Sequence, residues 1–367
     1  MNHEYYMARA LQLARLGIYS TSPNPRVGCV IVKNNQIIGE GWHQKAGEGH
    51  AEVNALAMAA NQAQGATAYV TLEPCSHFGR TPPCAQGLIN AGIKTVVGAC
   101  SDPNPQVAGR GYQMLRDAGI NVITPCLAVD AEALNAGFMR RMRTGLPQVT
   151  LKLAQSLDGR TAMQSGESQW ITGAAARQDV QRLRAQSCAI ITGADSVLID
   201  NPSMTVRYNE AGINLPSRLQ RQPLRVVIDG QQRLTGQERI FQQAGDMLLA
   251  LNDVEQCRIK RDSNLGALLL WQSPTTANGK VDLTALLKEL GRLGMNQVLV
   301  ESGASLAGAF VAQHLAQSLV LYLAPTFLGN LARPLLALGL NNMAEQVRVQ
   351  WQDIRQVGND LRLTVTF

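Results

Sequence analysis

No stretch of this chain approaches the roughly 18 consecutive apolar residues that a membrane-spanning helix needs, so no membrane span is expected. The opening segment, MNHEYYMARALQLARLG, mixes polar and apolar residues at helical spacing and lacks the unbroken apolar core of an export signal, which makes the cytoplasm the expected compartment. Cysteine is sparse and odd in number. Seven cysteines scattered through a chain with no export signal argue against a disulfide framework and leave metal binding or core packing as their uses. A Gly-x-Gly-x-x-Gly fingerprint is missing as well: Gly39 with Gly41, Gly47 with Gly49, and Gly109 with Gly111 each lack the third glycine, which excludes a Rossmann dinucleotide site of that type. Long basic blocks do not occur. The net charge is +6, but its one dense cluster, Arg140, Arg141 and Arg143, reads as the solvated face of a linker rather than a nucleic-acid arm. A mildly basic surface suits solubility and small phosphorylated ligands, and no nucleic-acid or membrane partner is expected.

What is present is apolar material in quantity. With 46% hydrophobic and only 16% charged residues, the chain can bury substantial cores, and its length of 367 residues exceeds one ordinary core, so two domains are expected. Residues 4 to 16 read as a helix with Tyr5, Ala8, Leu11 and Leu16 on one face and Gly17 as its stop. Val27 to Val32 and Ile37 to Trp42 flank an Asn-rich turn and read as a hairpin. Helix formers at 51 to 63, a strand at 68 to 72, a helix from about Pro83, a strand at 95 to 99, a helix at 111 to 118 and a strand at 122 to 125 complete a layered α/β domain. The helix-permitting stretch 127 to 148 ends in Gly145-Leu146-Pro147, which sets the expected domains at 1–145 and 147–367. Beyond it, strands are expected at 149–153, 189–192, 225–229, 247–251, 267–271, 297–300, 319–323 and 361–367, with helices between several of them: a second α/β domain.

The strongest chemical signal is His50-Ala51-Glu52, followed after a strand by Pro74-Cys75 and then Cys84. One imidazole and two thiolates are three ligands for zinc and leave a fourth tetrahedral position for water, the arrangement of a catalytic rather than a structural site. His50 begins one expected helix and Cys84 stands at the start of another, where the positive end of the helix favours thiolate. Zinc lowers the pKa of bound water from about 15.7 to about 7, and Glu52, two residues past a ligand, is placed to carry the proton from water to a departing amino nitrogen. This His-x-Glu and Pro-Cys pattern, with the glutamate a non-ligand acid/base, is that of the zinc deaminases. A closed structural site needs a fourth ligand, for which His77 is the nearby candidate.

Cys75 and Cys84 are separated by eight residues, in PCSHFGRTPPC, where many base deaminases have about two to four. This spacing, with Pro23-Asn24-Pro25 and Asp102-Pro103-Asn104-Pro105, closely resembles the deaminase half of the bifunctional riboflavin biosynthesis deaminase-reductase family, and the resemblance extends over essentially the whole chain. It implies a cytidine-deaminase-like three-layer domain holding one zinc ion per chain. The implied substrate is a 2,5-diamino-6-ribosylaminopyrimidinone 5'-phosphate that loses its ring 2-amino group, with Asn24, His43, His77, Arg80 and Asn104 as contacts. Arg80 stands where the family often has lysine, a change that keeps the charge.

In the C-terminal part, the segments Leu151 to Gly159, Ser168 to Thr172, Gly193 to Val197, Asp200-Asn201-Pro202, Arg207 and Val300 to Leu306 resemble the reductase half of the same family. A glycine-bearing turn between strand and helix, as at Gly303, can offer N–H groups to phosphate, and arginines such as Arg184 and Arg207 can grip one bidentately. The resemblance implies a dihydrofolate-reductase-like α/β domain that uses NADPH to reduce the ribosyl group to ribityl. It assigns Ala154, Trp170, Ser196, Asp200, Gly303, Ala304, Ser305, Leu306, Ala307 and Gly308 to the cofactor, and Ser168, Arg184, Met204, Arg207 and Glu301 to the substrate. Ser302 replaces one of a glycine pair common in the family. The competing reading is a tRNA or other nucleobase deaminase fused to an unrelated domain, against which stand the long cysteine spacing and the missing basic blocks. The oligomeric state stays open at this level, a homo-oligomer included.

Overall fold

An asparagine begins the first helix: the Asn2 side chain accepts the N–H of Tyr5 at 3.1 Å and caps α1 (His3–Arg15). The helix is where the sequence places it, but its buried face is Tyr6, Met7, Ala10, Leu11 and Ala14, while Tyr5 and Leu16 are 63% and 53% exposed. Apolar residues lie all round this helix, and the sheet it packs against selects the face. Gly17 stands just past Leu16, the C-cap at which the α-helix ends. The chain continues as a tight turn, Leu16–Tyr19, and Gly17 is required by packing, because a Cβ there would lie 2.2 Å from Thr21 Oγ1.

The computed structural model describes residues 2–76, 83–105 and 107–367, in two compact units: Met1–Leu146 with Ser217–Gln220, and Pro147–Pro216 with Arg221–Phe367. In the first unit α1 is followed by β1 (Gly28–Lys33), β2 (Gln36–Trp42), α2 (Ala51–Ala59), β3 (Thr67–Val70), α3 (Cys84–Asn90), β4 (Thr95–Gly98), α4 (Arg110–Asp117), β5 (Asn121–Ile123), α5 (Ala128–Leu134) and α6 (Ala136–Thr144). The hairpin β1–β2 turns at Asn34 and Asn35, both at positive φ, the backbone that a two-residue turn of this hand demands. The sheet order is β2-β1-β3-β4-β5, antiparallel through β1 and parallel from β3 to β5. Successive residues of β1 serve opposite cores: Val30 and Val32 pack with Met7, Phe138 and Met139, whereas Cys29 and Ile31 pack with Ala51, Ala55 and Leu88. Helices therefore cover both faces, which makes three layers. Arg140, Arg141 and Arg143 belong to α6, and Arg143 pairs with Glu132 at an exposed site.

The second unit contains β6 (Gln148–Ser156), β7 (Arg160–Ala162), α7 (Ala174–Gln186), β8 (Ala189–Gly193), α8 (Ala194–Asp200), α9 (Tyr208–Ala211), β9 (Leu224–Ile228), β10 (Met247–Leu251), β11 (Leu268–Gln272), α10 (Leu283–Arg292), β12 (Gln297–Glu301), α11 (Ala304–Ala312), β13 (Ser318–Ala324), β14 (Arg333–Pro334), β15 (Gln350–Val357) and β16 (Asp360–Thr366). Nine strands form one sheet in the order β11-β10-β9-β8-β12-β6-β13-β16-β15, parallel up to β13 and antiparallel in the last two pairings. β8, β10 and β12 bury near-continuous apolar runs, as parallel strands between helices do, whereas β6 alternates. β15 is absent from the sequence expectations. Its residues, QWQDIRQV, are exposed along nearly the whole strand, so no buried alternation announces it. All seven cysteines are free thiols. Among the described residues no helix is long and apolar enough to cross a membrane.

Candidate active sites

In the first unit, α2 lies flush on β2 because Gly39 and Gly41 have no side chains: a Cβ on either would sit 2.3 Å from the carbonyl oxygen of Ala55 or Ala51. The two glycines that fail as a dinucleotide fingerprint thus serve close packing. That contact fixes the first turn of α2, whose N-cap is His50 and whose second residue is Glu52. Cys75 follows the turn after β3, and Cys84 opens α3. His50 Nδ1 lies 3.2 Å from Cys84 Sγ and 3.7 Å from Cys75 Sγ, the Cys84 N–H donates to Cys75 Sγ at 3.3 Å, and one ligand atom from each of the three residues falls within 4.8 Å of the others. One nitrogen and two sulfurs so gathered fit zinc in number and softness.

Glu52 is 3% exposed. Burial pushes its carboxyl up to about 7 against the opposing pull of His50. The Cys84 hydrogen bond, then the imidazole of His50, hold the Cys75 thiol down to about 4, while sharing that hydrogen bond and burial raise Cys84. Beside the ligands, the His43 ring meets that of His50 edge-on, with centroids 5.2 Å apart. His43 Nδ1 lies 3.1 Å from the Gly49 carbonyl oxygen, which marks Nδ1 as the protonated nitrogen and lets Nε2 accept from Asn24 Nδ2 at 3.0 Å. Burial lowers the pKa of His43, in keeping with that neutral form. Asn104 sits on the loop after β4, its N–H donating to Asp102 Oδ1 at 2.8 Å. His77 and Arg80 lie outside the described residues. A residue the sequence reading passes over is Glu73, a buried carboxylate just before Pro74 that accepts backbone N–H groups from the Asp102 loop and from the start of α4.

In the second unit Ala154 and Glu301 lie near the C-terminal ends of β6 and β12, and Ser196 and Gly303 just beyond those of β8 and β12, where open α/β sheets place their ligands. Arg184 of α7 grips Glu301 of β12 bidentately, Nε to Oε1 at 2.6 Å and Nη2 to Oε2 at 2.9 Å, and also reaches the Thr205 carbonyl at 3.2 Å and Met204 Sδ at 3.8 Å. Lys152 stands in register beside Glu301 on β6. Burial lowers its pKa although Glu301 opposes the shift. A lysine inside the apolar strand Val149 to Leu153 is the signal that could have marked it. Ser168 Oγ donates to Asp200 Oδ1 at 2.9 Å, and the Gly303 N–H donates to Ser196 Oγ at 3.3 Å, which brings α8 to the cap of α11. Ala154 pairs with Tyr322 across β6 and β13. Arg207 is turned to Glu210, at 2.6 Å and largely exposed, and its charge helps to lower the pKa of the buried Glu301.

Trp170 is not a core residue: it is 70% exposed, with the Arg177 guanidinium 4.6 Å above its ring. The run 303 to 308 divides. A Cβ at Gly303 would meet nothing within 4 Å, and Ser305 is exposed, whereas Ala307 is fully buried and a Cβ on Gly308 would lie 2.3 Å from the Ala337 carbonyl oxygen. The last two residues of the run pack the helix, and its outward end is the earlier ones.

Residues 1–100 match the family described as the cytidine and deoxycytidylate deaminase zinc-binding region, and residues 147–363 match the RibD C-terminal domain. The riboflavin biosynthesis protein RibD of Escherichia coli is 51% identical over 99% of this chain and 99% of its own, and that of Haemophilus influenzae is 46% identical over 98% and 96%. Among solved structures, Acinetobacter baumannii RibD superposes with a TM-score of 0.91 at 46% identity, and a deaminase/reductase from Thermotoga maritima with 0.86 at 30%, each covering 99% of this chain and 98% of the other. The match over 147–363 removes the alternative of an unrelated second domain. The chain belongs to the bifunctional riboflavin biosynthesis family, in which a zinc-binding deaminase is fused to a reductase.

Proposed function

We propose that the first unit removes the ring 2-amino group of a 2,5-diamino-6-ribosylaminopyrimidinone 5'-phosphate as ammonia, and that the second reduces the ribosyl group of the product to ribityl with NADPH. The observation that carries the reading is the convergence of His50, Cys75 and Cys84 beside the buried carboxyl of Glu52. These three residues would hold one zinc ion per chain. Zinc, when bound, supplies a Lewis acid that makes water acidic enough to ionise near neutral pH. Glu52 takes a proton from water and gives it to the leaving nitrogen, a cycle that suits a carboxyl whose burial holds its pKa near the working pH. Asn24 and His43, locked to each other, present a fixed polar wall, and Asn104, His77 and Arg80 complete the substrate contacts in this reading.

In the second unit NADPH supplies hydride. Ser196, Asp200, Ala154, Trp170 and the outward end of the 303 to 308 run bind the cofactor, and Ser168, Arg184, Met204, Arg207 and Glu301 bind the substrate. The exposed Arg207 is free to swing from Glu210 to a phosphate at small cost, since an exposed ion pair contributes at most about 1 kcal/mol. The two chemistries divide at 1–145 and 147–367, in a cytoplasmic protein. Self-association is supported by Trp351 and Ile354, exposed on the edge strand β15, and light scattering measures it directly. The deciding experiment incubates purified protein with the diaminopyrimidine phosphate, with and without NADPH, and identifies products by mass. Ammonia release without NADPH and a ribityl product only with it are expected; absence of the deaminated product would overturn the reading.

A further inference from the structure

Glu73 is a buried carboxylate with no ion pair among the described residues, and four backbone N–H groups point at its two oxygens. Oε2 accepts the N–H of Asp102 at 3.2 Å and of Gly109 at 3.0 Å; Oε1 accepts the N–H of Gly111 at 2.9 Å and of Tyr112 at 3.4 Å. Two of these donors belong to the first turn of α4, whose N-cap is Gly109, so the positive end of that helix also faces the carboxylate. Asp102 and Gly109 are the two ends of the loop that carries Asn104. Within that loop Asn104 donates to Asp102 Oδ1 and its carbonyl accepts the N–H groups of Val107 and Ala108 at 2.8 and 2.9 Å. On its other side Glu73 is two residues from Cys75, its own N–H donates to the Cys100 carbonyl at 3.0 Å, and Gly111 is pressed so closely to the Pro74 carbonyl that a Cβ would lie 1.9 Å from it.

We infer that Glu73 is a positioning residue for deamination: one side chain ties the turn bearing a metal ligand to both ends of the loop bearing Asn104, and so sets the distance from substrate contact to reacting centre. The inference rests on the proposed contact of Asn104 with substrate. Catalytic geometry is sensitive to displacements of about an ångström, and hydrogen bonds to a charged acceptor are stronger than neutral ones, so a carboxylate is suited to hold the loop. Glutamine in its place keeps the shape but turns an amide NH2 toward two N–H donors, which must then move apart.

The test uses the full chain, with reductase activity as the control for folding and bound zinc as the control for the metal turn. Glu73→Gln should keep both, while the KM for ammonia release rises about tenfold with kcat within about threefold. In an Asn104→Ala background the same change should move KM little, because the residue it positions is gone. Unchanged KM, a fall in kcat or in zinc with KM unchanged, or additive effects in the double variant each overturn the inference. If Asn104→Ala alone leaves KM unchanged, the Asn104 contact is what fails, and Glu73 is judged on the KM shift of Glu73→Gln itself. Should Glu73→Gln not fold, Asp102→Ala, which loosens the same loop without touching the buried carboxylate, must give the same rise in KM, and a normal KM there sinks the idea.

Discussion

Replacing Arg184 by methionine tests how far the second unit depends on its buried ion pair. The Arg184 and Glu301 side chains are 12% and 10% exposed, and their fork-to-fork hydrogen bonds at 2.6 and 2.9 Å leave neither charge to water. Burial draws the Glu301 pKa upward, but the charge and hydrogen bonds of Arg184, with Lys152 beside them, outweigh it and hold the carboxyl below its ordinary 4.5. Removing one partner of such a pair costs about 3 to 5 kcal/mol because the other charge stays buried; with Lys152 still adjacent we take roughly 3, a little over a hundredfold in the unfolding constant. At a urea m-value of about 2.5 kcal/mol/M the midpoint should fall by about 1.2 M. Fluorescence reads this unit selectively, since Trp170, Trp271 and Trp351 of the four tryptophans lie in it. A depressed carboxylate stabilises the fold above its unfolded pKa and ceases to as pH falls through its folded pKa, so the gap between wild type and variant should hold near neutral pH and shrink as pH falls below the ordinary 4.5 through the depressed pKa of Glu301. The triple variant Arg184→Met/Glu301→Leu/Lys152→Met, which also removes the buried ammonium that stands in register beside Glu301, should recover most of the lost stability yet not the reduction. A midpoint shift under about 0.3 M for the single variant, or a triple variant no more stable than it, would refute the claim that this pair is desolvated.

Glu52→Gln should retain zinc and NADPH oxidation on the deaminated substrate while ammonia release falls about 10²- to 10⁴-fold; loss of both activities in folded, zinc-loaded protein would replace two sites with one composite site. Metal analysis of Cys75→Ser and Cys84→Ser should show depleted zinc, and normal content in both would remove them as ligands. Arg207→Ala should keep ammonia release and lose reduction, read as NADPH oxidation; unchanged oxidation kinetics would take Arg207 out of the substrate site. Fragment 1 to 145 should release ammonia without NADPH, and fragment 147 to 367 should oxidise NADPH only with the deaminated ribosylaminopyrimidine; mass identification of products decides.

The grouping of His50, Cys75 and Cys84 was legible because few other roles require these residue types together: they stand at a helix start, beyond a strand and at a second helix start, with Glu52 in the first turn of the first helix. The hairpin was equally local, since Asn34 and Asn35 are the residues that tolerate positive φ. Tertiary structure decided matters that depend on what a side chain meets. It chose the buried face of α1 over the one containing Tyr5 and Leu16, because several faces are apolar and only the sheet selects among them. It gave Gly17, Gly39 and Gly41 a purpose in close packing that spacing does not reveal. It recruited the polar segment 350 to 357 as β15, since an exposed edge strand needs backbone partners rather than a buried face. Glu73 and Lys152 have ordinary sequence neighbours and acquire their importance from distant ones, the amides of 102 to 112 and the carboxylate of Glu301. Local chemistry follows from residue identity and short spacing; burial and long-range partnership are properties of the assembled layers, and the chain acquires them only by folding.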